Sequence, residues 1–279
     1  MNITYDIHCH THLSLCGRDS ATIPYYVQTA KELKLDTIGI ADHMWDSKIP
    51  FPEEMRHSGA ALRNHSEHVI NWYKPQDVPH CQQILREIEE TDTQGIRFLF
   101  GGEVEYCPGL GLAILEEEAQ KLDFMVVPNS HTHHLMPASM NEPYEKHGVF
   151  MLKAAMEICT CSLSKYVTSL AHPFVAVNCP YPVEYIIDTI TDEQFSEVFS
   201  AAREADIAVE INTSPFRELN EDEICNHYMI RILSIAKKCG CRFTFGSDSH
   251  QQGAHRVFLS ACQKVADLLK LTDDDVLKI

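Results

Sequence analysis

The chain has 279 residues, 44% of them hydrophobic, which suffices for one large core, and α/β barrels commonly reach this size undivided. Its 40 acidic against 23 basic residues give a formal charge of −17, which repels nucleic acid and anionic membranes, and no stretch approaches the roughly 18 uninterrupted apolar residues of a transmembrane helix. The 11 cysteines form no CxxC pair and follow no secretory apolar region, so reduced thiols in the cytoplasm are expected, with cysteine-based metal binding a minor alternative.

Short β-branched or apolar runs alternate with helical patterns along the chain, the signature of βα units and a parallel sheet. A strand over 3–8 runs into His8-Cys9-His10. A helix over 24–33 follows, with Val27, Ala30 and Leu33 as its sheet-covering stripe. The strand over 37–41 ends in Asp42-His43. The long stretch beyond it, with Trp45, Arg56, His57, Arg63, His65, His68 and Trp72, reads as a lid over about residues 44–78. Next come a helix over 79–91, a strand over 97–103 that delivers Glu103, and a strand over 124–128 before Ser130-His131-Thr132-His133. The strand over 168–171 leads to His172-Pro173, and the proline-bearing segment 173–191 is a candidate wall of the same cleft. A helix over 192–205, a strand over 208–211, a helix over 221–238, a strand over 242–245 ending in Asp248-Ser249-His250, and a helix over 252–269 complete the chain. Seven strands without an internal repeat or linker point to one domain over 1–279.

The recurrence at strand ends carries the chemistry. One histidine on an apolar segment is usually a satisfied core residue, but six strand ends that each deliver imidazole or carboxylate describe converging ligands for divalent metals. Alternate strand residues share a face, so His8 and His10 aim at one ion, and parallel barrels build active sites at the C-terminal ends of their strands. Asp6 is a candidate for orienting an imidazole, and His12 for ligation or a structural role. Asp42, of opposite parity to His43, suits orienting or capping. Arg217 and Arg256 lie near the same end and are candidates for holding phosphate, with surface salt bridges as the alternative.

The ordered set Asp-Ile-His8-Cys-His10-Thr, Ala-Asp-His43, Gly-Glu103-Val-Glu, Ser-His131, Ala-His172-Pro-Phe and Ser-Asp248-Ser-His250 resembles the polymerase and histidinol phosphatase (PHP) superfamily over residues 6 to 250. The resemblance implies a distorted (β/α)7 TIM-like barrel holding two to three divalent ions, zinc, manganese or iron, at its C-terminal face. It places one ion on His8, His10, Glu103 and Asp248, and a second on bridging Glu103 with His131 and His172. It places a third on His43, His250 and a residue of the loop after His10. Some relatives carry Cys-Gly-His there, which puts Arg18 at the ligand position. A guanidinium has no lone pair to offer, so Asp19 is the expected ligand and Arg18 a candidate for substrate phosphate. His131 is preferred over His133.

The implied activity is histidinol-phosphatase-like hydrolysis of a small phosphomonoester by metal-activated water, with Glu103, Asp248 and His250 as catalytic candidates. Three divalent ions against three carboxylates leave a positive cluster that attracts phosphate into an acidic protein. An amidohydrolase is the alternative enzyme class, although Glu103 stands where those enzymes often use a carbamylated lysine. A regulatory module with a relict site is the non-enzymatic alternative. Nuclease activity is disfavoured by charge and by the lack of a basic stripe.

Overall fold

The computed structural model describes residues 1–52, 66–177 and 179–279. Seven parallel strands form the barrel wall: β1 Tyr5–Cys9, β2 Thr37–Ile40, β3 Arg97–Val104, β4 Phe124–Pro128, β5 Ser169–Ala171, β6 Ala208–Asn212 and β7 Phe243–Gly246. They pair in sequence order, each with its successor, as right-handed βα crossovers dictate. The short strand His43–Met44 extends the wall beside Glu103–Val104, and Tyr106–Cys107 forms a small hairpin with Gly111–Leu112. All seven expected strands are present, within one or two residues of their expected limits.

The barrel is nearly closed between β7 and β1. At the C-terminal end the Asp248 N–H donates to the His8 carbonyl and the His10 N–H to the Ser249 carbonyl, both at 2.8 Å. At the opposite end the C-terminal tail enters the gap: Leu277 N–H donates to the Phe243 carbonyl, and the Tyr5 hydroxyl donates to the Leu277 carbonyl, again at 2.8 Å. Asp6 joins the two strands from within. Its Oδ1 accepts from the backbone N–H groups of His8 and Ser247, and its Oδ2 lies 2.9 Å from His255 Nε2. Asp6 therefore fixes backbone and seam rather than the ring of a candidate ligand.

The helices follow their local signals with instructive departures. Ile23–Leu33 begins where Thr22 caps the Tyr25 N–H and Pro24 takes the first turn. Asp192–Glu204 starts in a Thr191/Gln194 capping box. The expected helix over 221–238 is two, Glu221–Asn226 and Tyr228–Lys238, because His227 is extended and caps the second through its ring. The expected helix over 79–91 is likewise divided into Val78–Cys81 and Ile84–Glu90. The segment 252–257 is turn, and the helix expected from 252 is Phe258–Leu269. Glu145–Thr160, the longest helix among the described residues, was not among the expected elements, although Met151, Ala154, Ala155 and Ile158 carry its stripe. Of the expected lid, residues 53–65 lie outside the described residues, Arg56, His57, Arg63 and His65 among them. The flanks are ordered: Trp45 is buried and donates to the Ile49 carbonyl, and helix Ser66–Tyr73 carries Trp72.

Gly246 marks the tightest point of the seam. A Cβ there would lie 1.9 Å from Glu210 Oε1 and 2.7 Å from His8 Cβ, so the absent side chain is what lets Glu210 reach His8. Gly246→Ala should lower unfolding free energy by about 1–3 kcal/mol, the usual cost of overpacking, read as a shift in the urea midpoint at constant slope. An unchanged midpoint would mean that the seam is looser than described.

Candidate metal centre

The C-terminal strand ends place their side chains around one buried carboxylate. Glu103 Oε1 lies 2.8 Å from His172 Nε2 and 3.5 Å from His131 Nε2. Its Oε2 lies 3.0 Å from His43 Nδ1, 3.4 Å from His10 Nε2 and 3.6 Å from His8 Nε2. Asp248 Oδ1 completes this side at 3.4 Å from His10 Nε2 and 3.8 Å from His8 Nε2. Asp248 and His172 adopt left-handed backbone angles, φ 53° and 25°, which for non-glycine residues is strain held by the surrounding bonds and is common at functional sites.

The outward nitrogens of these rings are fixed. His8 Nδ1 is 2.7 Å from Glu210 Oε1 and His131 Nδ1 is 2.9 Å from Glu105 Oε2, whereas His43 Nδ1 stands between Glu105 Oε1 at 3.1 Å and Glu103 Oε2 at 3.0 Å. His172 Nδ1 is 2.8 Å from Ser130 Oγ, and His250 Nδ1 is 2.8 Å from the Asp248 carbonyl. Metal-binding imidazoles are held in this way, the distal nitrogen bonded so that the proximal one presents its lone pair. Glu210 also accepts from the His172 backbone N–H and from Asn212, so it ties β1, β5 and β6 together.

The inner atoms tell the same story from the opposite side. His8 Nε2, His10 Nε2 and Glu103 Oε2 are buried and lack any hydrogen-bond partner, an arrangement that is costly for neutral packing. A divalent cation satisfies all three. The donor set, imidazole nitrogen with carboxylate oxygen, suits zinc, manganese or iron. Ligand atoms that lie within 4.8 Å of one another form the groups His8/His10/Asp248, His8/Glu103/His172, His43/Glu103/His131 and His10/Cys16/His43/His250.

The expected ligands of the first two ions all meet around Glu103 but in other combinations, His172 grouping with His8 and His131 with His43, and His131 rather than His133 lies beside Glu103. The third differs. Asp19 and Arg18 are exposed and belong to none of these groups, whereas Cys16 does. The cause is the loop: Gly17 sits where a Cβ would be 1.9 Å from the Thr11 carbonyl oxygen, so the chain folds back at Cys16. The Arg18 N–H then bonds to the His250 carbonyl at 2.9 Å, and Asp19 leaves the site. Arg217 is also corrected. Its Nη2 donates to the carbonyls of Ser247 and Asp248 at 2.7 and 2.6 Å, so it buttresses the Asp248 loop instead of facing a ligand. Arg256 is exposed and pairs with Glu218, the salt-bridge alternative. His12 is 3.1 Å from Glu87, a structural contact, and Asp42 binds the N–H and hydroxyl of Thr11 at 2.6 Å each, which orients the loop after His10.

The site opens into a cavity of about 310 Å³ walled by Cys16, His43, Trp72, Glu103, His131, His133, His134, His172, Val177, Asp248 and His250. Among the described residues no lysine or arginine lines it. Trp72 meets the ring of His43 edge-on at 4.9 Å, and Tyr73 OH lies 2.7 Å from His134 Nδ1. Val177 brings the segment after His172 to the wall, where the sequence had suggested it. Glu105, Glu210, Ser130 and Cys16 were missed as functional residues. The first two had a signal: Glu105 shares strand parity with Glu103, and Glu210 is an acid inside an apolar strand.

Without metal the charges divide clearly. Burial opposes ionisation of Glu103, yet His43, His131 and His8 hold its carboxyl well below the usual range. Asp248 is likewise held low against burial, by His250, His10 and His8. Burial works against protonated rings, but Glu210 and Glu103 raise His8, Glu103 and Cys16 raise His43, and Glu103 raises His172. His133 and His134 are pushed down, by burial first and then by neighbouring imidazoles, so both are neutral. Burial also opposes a Cys16 thiolate, but His10 and His43 bring the thiol down to about 2.

A nearly closed seven-stranded α/β barrel with a polynuclear ligand cluster at its C-terminal face defines a class of metal-dependent hydrolase. The PHP domain model matches residues 6–214, and the chain belongs to that family. A probable phosphatase of Clostridium novyi is 26% identical over 247 residues, which cover 88% of this chain and 79% of the relative. The crystal structure of histidinol phosphate phosphatase from Lactococcus lactis subsp. lactis, complexed with zinc, L-histidinol and phosphate, superposes with a TM-score of 0.63 at 20% identity, over 96% of this chain and 92% of that one. The likeness extends over the whole barrel. Among the described residues the wall has seven parallel strands, not the eight of the amidohydrolase alternative.

Two measurements test the electrostatics. Raised histidines stabilise the fold below their ordinary value of 6.5, and this is lost as pH rises through the folded value, about 9 for His10. Depressed carboxylates stabilise it above their ordinary value of 4.5, and this is lost as pH falls toward about 2 for Glu105. Metal-free protein should therefore be most resistant to urea between pH 4.5 and 6.5, and saturating zinc should remove the alkaline loss because ligation requires neutral imidazoles. A metal-free protein more stable at high pH would refute these charge assignments. Separately, Glu105→Gln should weaken zinc binding by about 10- to 100-fold in a competition titration, since it loosens two candidate ligands at once.

Proposed function

We propose that this protein is a metal-dependent phosphomonoesterase that acts on a small phosphorylated metabolite in the manner of a histidinol phosphatase. The observation that carries the reading is the convergence of His8 Nε2, His10 Nε2 and Glu103 Oε2, buried and without hydrogen-bond partners, beneath a cavity whose described wall has no cationic side chain. A phosphate entering it requires positive charge that the wall does not supply. The relatives' own descriptions, a probable phosphatase and a histidinol phosphate phosphatase, support the same chemistry.

His8, His10, Glu103 and Asp248 would hold one ion, and Glu103, His131 and His172 a second. His43 and His250 would hold a third, with a residue of the loop after His10. Bound divalent ions supply a Lewis acid for the phosphoryl oxygens and lower the pKa of the attacking water. The residues supply placement. Glu103 offers one oxygen to each side of the cluster and so fixes the separation of its halves. Asp248 turns Oδ1 toward His8 and His10, leaving Oδ2 to take the proton of the attacking water. His250 acts by ligation through Nε2, because its Nδ1 is committed to the Asp248 carbonyl. His133 and His134, neutral at the wall, present nitrogens to the uncharged part of a substrate, and Trp72 gives it a flat apolar surface. Arg18, exposed and with its backbone N–H on the His250 carbonyl, would meet an incoming phosphate from outside the cavity wall. From the described flank of the expected lid, Trp72 covers part of the cavity in this reading.

The test is a screen of phosphorylated metabolites, histidinol phosphate and nucleotides included, run with elemental analysis. Purified protein should contain two to three equivalents of transition metal, release phosphate from at least one monoester, and lose activity to a chelator. His172→Ala and Asp248→Ala should each lower both metal content and rate, the rate by about 10²-fold or more, the scale on which one transition-state stabilising group matters. Full activity in metal-free protein would overturn the mechanism.

A further inference from the structure

We propose that Cys16 is a thiolate ligand of the third ion, which makes one position of the cluster a sulfur-containing site that prefers zinc and cobalt to manganese. The inference rests on the reading of the cluster as a metal centre and assigns a ligand that neither the family resemblance nor the expected Asp19 supplied. Four observations carry it. Ligand atoms of Cys16, His10, His43 and His250 lie within 4.8 Å of one another. The loop that carries Cys16 is locked by Ser14 N–H to the Thr11 carbonyl and Gly17 N–H to the Ser14 carbonyl, at 3.1 and 2.9 Å, with Gly17 pressed against Thr11. His43 and His250 have their Nδ1 atoms engaged, by Glu105 and by the Asp248 carbonyl, so each has Nε2 left for an ion. Cys16 lines the cavity, so an ion held there has a face open to substrate.

The chemistry follows from softness. Thiolate with two imidazoles is a borderline-soft set that suits zinc and cobalt, whereas manganese is better served by carboxylate and water. A sulfur at this position thus separates the third ion from the other two, whose donors are nitrogen and oxygen only. His10, with Nδ1 at 3.9 Å from Cys16 Sγ and Nε2 at 3.4 Å from Asp248, stands between the two environments. Were the sulfur–metal bond to form, the Cys16 thiolate lone pair would become the bond and the protons that His10 and His43 hold opposite it in the metal-free protein would leave to solvent. The ion gains one anionic ligand, the same charge Asp19 would have brought.

The test uses the full chain, stripped of metal and reconstituted with cobalt(II). Wild type should show a near-ultraviolet thiolate-to-cobalt charge-transfer band, and Cys16→Ser should lose the band together with one metal equivalent while keeping the visible bands of the remaining cobalt. Cys16→Asp should restore the metal equivalent without the charge-transfer band, which separates loss of a ligand from loss of the fold. Reconstitution with manganese should give one equivalent fewer than zinc in wild type and no such difference in Cys16→Asp. Cobalt binding without the band, or a band that survives Cys16→Ser, would overturn the assignment while leaving the metal centre intact. In the second case Cys9, which lies with Asp6 and His255, is the next cysteine to examine. Failure to bind cobalt at all would overturn the metal centre itself, and this proposal with it.

Discussion

Everything in this barrel is arranged around the burial of one carboxylate. Glu103 is shielded from water and has five imidazoles within 3.6 Å of its two oxygens. A buried anion carries a desolvation cost of several kcal/mol, which only well-placed opposite charge offsets. The rings around it carry the same problem with the opposite sign once they are protonated. Protons or metal ions can both balance the cluster, and they compete for the same nitrogen lone pairs. That competition gives a reason for the bonds on the outward nitrogens of His8, His131 and His172, to Glu210, Glu105 and Ser130: with Nδ1 engaged, the Nε2 lone pair of each is turned toward Glu103.

Such a cluster needs a rigid frame, and the frame is the seam. His8 and His10 on β1 must meet Asp248 beyond β7, so the two ends of the chain have to be brought together with sub-ångström definition. Asp6, Glu210 and Arg217 accomplish this from three directions. Asp6 bonds the backbone of both strands, Glu210 reaches through the space left by Gly246 to the His8 ring, and Arg217 grips the carbonyls on either side of the Asp248 Cα. The left-handed backbone of Asp248 is affordable because these bonds over-determine it. Arg217 Nη2 is thus committed to backbone carbonyls of the Asp248 loop.

The strands were legible in the sequence because short β-branched runs at regular spacing have few other uses, and the ligands were legible because they recur at the strand ends. Period and parity sufficed for His8, His10, Glu103 and His172, whose strands fix their direction. Legibility fails where a loop decides. Whether Cys16, Arg18 or Asp19 meets His43 and His250 depends on a turn closed by Gly17 against Thr11, a contact with no signature in residue spacing. Arg217 looked like a phosphate ligand because the sequence shows a cation near the site but not the carbonyls that claim it. Helix breaks at His227 and Gln82–Gln83 were invisible for a related reason: the apolar stripe continues across them while the backbone does not.

The charge of the whole chain returns at this point with a different meaning. A formal charge of −17 opposes the approach of a phosphate ester, and the described cavity wall adds no lysine or arginine to reverse it. Neutral His133 and His134 cannot help, since burial and neighbouring rings keep them unprotonated. Within the cavity, attraction of the anion is then the work of the cluster, over a short range, because ionic screening at physiological salt removes it beyond about 8 Å. On the proposed function, the metal-free protein would repel the molecules that the loaded protein binds. Substrate affinity and catalytic power are in this way set by the same event, the filling of the space around Glu103, and an acidic exterior sharpens the distinction by excluding polyanions that do not fit the cleft.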